Sequence, residues 1–492
     1  MVHSPNDHRG TRRHSIRVAS TSSCVLLALC GCTSVGPERT VAAAIDIPAS
    51  WSLSAGTDST SPSSLAQWWW RFDDSLLTGL VTDALQANPS VKGAKAALRE
   101  ARALRDVAAA ALLPAVNAST SAQRSRHDSV TDNNYQAGLD ASWELDFFGA
   151  NRSALKASDA TAWAAAATLG DVQVSIAAEV ALSYISLRGY QERFAIATAN
   201  LESQQETLQI TKWRRQAGLV TSLDSEQART VVEQTRAQLP ALQTSIEQSR
   251  HALAVLTGRP PAALSSVLAA AGTVPQASGE ITLNIPAEML RQRPDVRAAE
   301  HQVTVASARL AQANALRAPN FTLGGSLGLS ALTLGTLTNG ASVVSSMLAG
   351  ASLPVFHGGA LSAQVRAQRA ALDQAQLAYQ TTVLTALAEV EDSLIALADD
   401  RERLRSLEEA AEAAAHAALL AQQQYNSGLV DFQVVLETQR ALLSTQEGVA
   451  LARADLSADH VFLYKALGGG WEGEDSDATR KAIIATPQPG AS

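Results

Sequence analysis

Apolar residues recur at spacings of three and four across residues 88–116, at Val91, Ala94, Leu98, Ala101 and Ala108. They recur again across 293–321, at Val296, Ala299, Val303, Ala306 and Ala313. That spacing marks one stripe of a helix. Each stretch is bracketed by prolines, Pro89 and Pro114 in the first and Pro294 and Pro319 in the second, which suit a helix start and stop. The two sets stand 205 residues apart throughout. The correspondence then continues. WELDFFG (143–149) matches SLPVFHG (352–358), AGLV (217–220) matches SGLV (427–430), and LTG (256–258) matches ALG (466–468), while the offset grows only to 210. Ordered matches of this kind mark an internal duplication whose unit, about 200 residues, is too long for a solenoid repeat.

After Pro114 the period changes to two. Val116, Ala118, Thr120 and Ala122 alternate with Asn117, Ser119, Ser121 and Gln123. A polar stretch, RHDSVTDNN (126–134), reads as a loop. Tyr135, Ala137, Leu139, Ala141, Trp143 and Leu145 then alternate with Gln136, Gly138, Asp140, Ser142 and Glu144. The second unit repeats the pattern from Phe321 to Ser330, and its last strand, at about 342–353, is the least regular. One apolar and one polar face suit a barrel strand between lipid and water, and also suit a half-buried strand of a soluble sheet.

The rest of each unit predicts helices. Asn151–Gln216 holds no proline and only Gly170 and Gly189; Leu361–Asn426 holds neither residue type. Val365, Leu372, Tyr379 and Ala386 recur at sevens, a coiled-coil-like period. A helix of ~65 residues spans ~100 Å, which calls for neighbours along a rod or tube. Helices predicted over 222–256 and 432–467 return alongside, so each unit carries a helical hairpin with AGLVTSLD or SGLVDFQV at its tip. Each unit therefore reads helix, strand, strand, long helix, helix. Four strands cannot close a membrane barrel, for which about eight is the usual minimum, and open edges in lipid would leave amides unpaired. Membrane strands here would require several chains.

Composition narrows the class. Charged residues are 17% and the net charge is −8, which leaves no basic face for nucleic acid. No run of 18 apolar residues follows the N-terminal segment, so no membrane-spanning helix is expected, which says nothing against a β-barrel. All three cysteines, Cys24, Cys30 and Cys32, lie near the start. Their odd number and crowding argue against a disulfide framework, and no histidine lies nearby at a spacing useful for a metal site. Arg9, Arg12, Arg13 and Arg17 precede an apolar stretch, the layout of a secretory signal. LCGC (29–32) resembles a bacterial lipobox, which implies a mature chain starting at a lipidated Cys32; the alternative is a plain signal peptide cut nearby.

Four strings resemble one family: WWWRFDDSLL (68–77), LRQRPDVRAAE (290–300), LPVFHGG (353–359) and YKALGGGW (464–471). They are similar to outer membrane efflux channels of the TolC and OprM type, in the NodT-like lipoprotein branch. The resemblance covers about 65–471. It implies a mainly α protein with membrane β: a homotrimer in which four strands per chain share a twelve-stranded outer-membrane β-barrel, above long helical hairpins forming a periplasmic α-barrel. It implies a periplasmic adaptor, an inner-membrane pump of the RND type and outer-membrane lipid as partners. No cofactor is expected beyond the lipid on Cys32, no metal, and no enzymatic step. The chain then divides into a lipoprotein signal peptide (1–31), an N-terminal lipidated arm (32–72), a first repeat (73–275), a second repeat (276–471) and a polar tail (472–492) expected to be disordered.

The resemblance also implies roles for residues at the hairpin tips. Asp224 matches a gate aspartate and Tyr425 the tyrosine that pairs with it, so a closing Asp224–Tyr425 hydrogen bond is expected. Thr221 and Asp224 read equally well as a capping box. Glu437 matches an acidic position that would form a ring of three carboxylates in a trimer, or would stand as a solvated charge beside Arg440. Gly218, Leu219 and Val220, with Gly428, Leu429 and Val430, resemble adaptor-docking knobs, or are turn glycines with flanking hydrophobes. GGSLG (324–328) fits a nucleophile-elbow pattern, but alternation runs straight through Ser326 where a helix should begin. Trp68, Trp69 and Trp70 read as an anchor for the N-terminal arm. Two neighbouring functions stay open: an outlet for type I protein secretion with the same architecture, and a structural periplasmic coiled-coil lipoprotein or an adaptor with a long hairpin. The duplicated strand pairs speak against the second.

Overall fold

The computed structural model describes residues 65–128, 130–277, 290 and 292–471. The expected signal peptide, Cys32, most of the N-terminal arm and the polar tail lie outside these residues. A 3-10 turn, Trp68–Phe72, leads into helix α1, Ser75–Ala87. Asp74 caps α1 by accepting hydrogen bonds from the Leu76 and Leu77 amides. Two matching sets of five elements follow. The first is α2 (Pro89–Ala110), β1 (Ala115–His127), β2 (Val130–Leu145), α3 (Ala150–Gln216) and α4 (Ser222–Leu256). The second is α5 (Pro294–Ala315), β3 (Asn320–Ala331), β4 (Val343–Ser352), α6 (Ala360–Asn426) and α7 (Phe432–Ala466). Corresponding helices are equal in length at 22, 67 and 35 residues. Pro89 and Pro294 each stand in the first turn, where the missing N–H costs nothing.

The four strands form one antiparallel sheet in the order β1-β2-β3-β4. The polar stretch 126–134 is not a loop. The β1–β2 ladder runs on to His127 opposite Val130, so the reversal is confined to the two residues between them, with Asp128 at a positive φ of 54°. Polar residues such as Arg124 and Asn133 pair across this extension. A ladder needs only backbone groups, so polarity alone did not end it.

Helix α3 is the central rod. It packs against α4, α5, α7 and α2, whereas α6 packs against α7 and α5. By length and composition α3 could cross a membrane, unlike the expectation from apolar runs, but half of that apolar stretch is buried inside the chain. Its alanines, including Ala177, Ala178 and Ala181, are buried and let neighbouring backbones come close. Gly170 serves the same end. A Cβ there would meet the Trp471 indole at 2.6 Å, so glycine is what lets that ring lie on the helix.

The strings that carried the resemblance meet at one junction. Trp68 and Trp69 are buried while Trp70 is exposed, so two of the three tryptophans anchor the arm. Trp68 stacks on Tyr464 at 5.3 Å, and the Gly470 amide donates to the Leu65 carbonyl. Arg297 lies 5.5 Å over the Trp471 ring. Buried Arg293 donates to the Ala466 carbonyl (2.7 Å), to both carboxylate oxygens of Asp295 and to Glu389 (2.7 Å). Burial opposes the Arg293 charge, but the two carboxylates outweigh it and the guanidinium's pKa is raised. The first repeat makes the same tie with a neutral side chain. Asn88, 205 residues before Arg293, donates to the Leu256 carbonyl at 2.8 Å. In both repeats the residue before the α2/α5 proline thus satisfies the last carbonyl of the returning helix.

Candidate functional site

Both long helices end in the same turn. Gly218 and Gly428 adopt φ of 73° and 72°, a left-handed conformation that suits glycine. The Gly218 amide donates to Arg215 and the Leu219 amide to Arg214; Gly428 donates to Tyr425 and Leu429 to Gln424. This is the Schellman pattern, which satisfies carbonyls a helix end would leave unpaired. Leu219 and Leu429 project from the two tips and are 74% and 75% exposed. Val220 and Val430 are only half-buried, and Val430 packs onto the cluster beneath. Of the expected docking residues, then, the leucines are free and the valines partly serve the fold.

Beneath the tips, Leu208, Val231, Val232, Tyr425, Phe432 and Val435 belong to one apolar cluster that joins the two hairpins. Tyr425 contacts Phe432 at 5.3 Å between ring centroids and lies under the Arg214 guanidinium at 4.5 Å. Its hydroxyl is buried without a hydrogen-bond partner. Asp224 is turned the other way. Its carboxylate accepts from the Thr221 amide and hydroxyl, both at 2.8 Å, and the Asp224 amide donates back to the Thr221 hydroxyl. The expected Asp224–Tyr425 bond is therefore not made within the chain. The capping box holds the aspartate, because a helix start always has amides to satisfy. The second tip lacks this device: Asp431 is the N-cap of α7 but accepts no capping bond.

Glu437 is exposed on α7 and accepts a hydrogen bond from Gln433 at 2.8 Å. Arg440, one turn on, is exposed too, and the structure pairs Glu437 with Gln433 in its place. Arg214 was missed by sequence reading. Its signal is the basic last turn KWRRQ, which suits the negative end of the α3 dipole.

At the opposite end of the rods the sheet separates its side chains by chemistry. Register puts Val116, Leu139, Leu327 and Met347 on one face, all more than half exposed. The other face carries Ser119, Gln136, Ser326 and Ser346 with Asp132, Asp140 and Glu144, and no lysine or arginine within the strands. Ser119 donates to Asp140, and the hydroxyls of Ser326 and Ser346 share a hydrogen bond at 2.7 Å. Ser326 thus sits mid-strand, away from any helix start. The separation is incomplete: β4 places Val344 and Leu348 on the polar face, and near the β1–β2 turn the apolar face carries Arg124, Arg126, Thr131 and Asn133. Both edge strands, β1 and β4, are open in the single chain.

The sequence matches the outer membrane efflux protein family over residues 80–259 and 285–469, two segments that follow the two repeats. A probable efflux pump outer membrane protein, SepC of Pseudomonas putida, is 30% identical over 85% of this chain and 89% of its own length. Nodulation protein T of Rhizobium leguminosarum bv. viciae is 31% identical over 95% of this chain and 96% of its own. Among solved structures, the outer-membrane channel OprN superposes with a TM-score of 0.80 at 35% identity, covering 87% of this chain and 98% of that one.

Proposed function

The chain belongs to the outer membrane efflux protein family, and from that premise we propose that it is the outer-membrane conduit of a tripartite efflux assembly. The observation that carries the reading is the sheet. It has an apolar face, a polar face and two open edges, and it sits at the end of two helical hairpins ~100 Å long. In lipid such edges must be paired, so β4 of one chain would pair with β1 of the next. Three chains would give twelve strands, with the polar faces lining a water-filled bore and the apolar faces meeting lipid. The rods would continue that bore across the periplasm to an adaptor and an inner-membrane pump of the RND type. Energy would come from the pump; this chain would supply a passage and make or break no bond.

Leu219 and Leu429 would meet the adaptor, since exposed leucines at a solvent-facing tip invite a partner. Asp224, Tyr425 and Glu437 would form the constriction, with Asp224 leaving its cap to reach a tyrosine when the tips draw together. Cys32 would carry the lipid that anchors the mature chain. The relatives named for efflux pumps support the efflux role. The test is deletion of the gene followed by growth on a panel of drugs, dyes and metals. Efflux predicts a lowered inhibitory concentration for at least one class, restored by the intact gene. Unchanged tolerance together with loss of a secreted protein would replace the reading with a secretion outlet.

A further inference from the structure

We infer that Arg124 and Arg126 bind the phosphate groups of outer-leaflet glycolipid, as a ring of guanidinium pairs around the rim of the barrel. The inference rests on the barrel reading above and begins from register. Ala122 pairs with Tyr135, Arg124 with Asn133 and Arg126 with Thr131, so both arginines lie on the face of Val116, Leu139 and Leu327. That face is the apolar one, which meets lipid. On β2 its outermost aromatics are Trp143 and Tyr135, eight residues apart. Eight residues span ~27 Å of strand, or ~20 Å of bilayer at a tilt of about 40°. Aromatic residues of this kind mark the two interfaces of a membrane barrel. The arginines lie just past Tyr135, two and four residues beyond its partner Ala122.

The direction follows from connectivity. α2 enters β1 at Ala115 and β2 leaves into α3 at Leu145, and α5 enters β3 and α6 leaves β4 at the same end, so all the α-helices lie at the Trp143 end. The arginines stand at the hairpin end, remote from the rods and therefore on the outside. Both are exposed, and among the described residues neither makes an ion pair or a side-chain hydrogen bond. Asp132, the nearest carboxylate on the hairpin strands, is the register partner of Ser125 and lies on the opposite face, and Asp128 in the turn, two residues from Arg126, forms no ion pair with either arginine among the described residues. Two uncompensated guanidinium groups on a lipid-facing surface are costly within hydrocarbon and cheap only at the headgroup level. Side chains two apart on a strand rise ~6.8 Å on the same face, a reach suited to one or two phosphates. Guanidinium binds phosphate through paired hydrogen bonds, which a zwitterionic headgroup offers less freely.

The test uses the full-length trimer purified in detergent. It is incubated with bisphosphorylated lipid A, with the same lipid stripped of its phosphates, and with phosphatidylcholine, and bound lipid is counted by native mass spectrometry. The wild-type chain should retain the bisphosphorylated form at least about tenfold over the other two, in keeping with charge-assisted hydrogen bonds. Arg124→Ser with Arg126→Ser should abolish the preference, and the paired lysine variant should keep part of it as point charges. Equal retention of the three lipids by the wild-type chain overturns the inference without depending on any variant's folding. Conductance of the same sample in a planar bilayer reads the barrel separately. A sample that conducts but shows no lipid preference overturns the inference alone, and one that never inserts overturns both.

Discussion

Asp224 caps α4, and the Tyr425 hydroxyl is buried without a hydrogen-bond partner in the single chain. A buried hydroxyl without a partner costs about 1–3 kcal/mol, so Tyr425→Phe should leave the isolated fold as stable or more so. Asp224→Ala should lower stability by roughly 1 kcal/mol through loss of the capping box. Thermal unfolding of the two variants distinguishes a cap from a gate when set beside conductance. If Tyr425→Phe raises the open fraction while leaving the unfolding midpoint unchanged, the hydroxyl bonds across the trimer. If neither variant alters the closed population, the gate assignment falls. Glu437→Gln belongs with them: a carboxylate ring predicts weaker cation preference in the variant, read as a shift in reversal potential under a salt gradient.

Asp459 on α7 makes a pH prediction. Burial, then Asp400 beside it on α6 and Asp455, push its carboxyl up to about 7, against the pull of Arg403. The folded chain therefore holds a proton there that the unfolded chain has released above the ordinary aspartate range. This contribution to stability falls as pH rises from about 4 through about 7. The wild-type unfolding midpoint should be higher at pH 5.5 than at pH 8 from this site, and Asp459→Asn should flatten that difference. A slope unchanged by the substitution would show that the proton sits elsewhere.

At the scale of elements, the junction of Trp68, Arg293, Tyr464 and Trp471 sets what the fold tolerates. Arg293→Ala would strand Asp295 and the Ala466 carbonyl and should cost roughly 3 kcal/mol, and lysine should not restore it because it lacks the planar fork. Gly170→Ala should destabilise by about 1–3 kcal/mol through collision with Trp471, and a smaller residue at 471 should relieve part of that loss. Unfolding midpoints of the single and paired variants measure both. The rods themselves were legible in advance: freedom from proline and glycine, together with the repeated AGLV and SGLV tips, put the long-helix boundaries within one residue of those found. The purpose of Arg293 was not legible, since Glu389 and Ala466 lie 96 and 173 residues away and no local pattern joins them. The length of β1 and β2 was underestimated for a related reason: periodicity needs an apolar face to report, and RHDSVTDNN (126–134) offers only Val130. Asp224 fitted cap and gate equally, because both uses ask for one acidic residue at the same turn.

For the whole molecule, the open edges of the sheet would require the proposed barrel to assemble before it inserts in lipid or together with insertion. Cys32→Ser should abolish lipid labelling, while the trimer persists on a native gel, because strand pairing rather than the anchor would hold it. Loss of the trimer in that variant would give the lipid a structural part in assembly.

Corresponding rods match residue for residue, 67 with 67 and 35 with 35. Their two tips consequently lie at one depth, and the plane they define is a shared inheritance of four helices. Adding a single heptad to one rod would push its tip ~10 Å past the other and spoil the rim for any partner seated on both. Lengthening the rods while keeping both tips level would take matched insertions in all four helices. The equal lengths thus make depth a property of the whole set of rods, which no one helix can change alone.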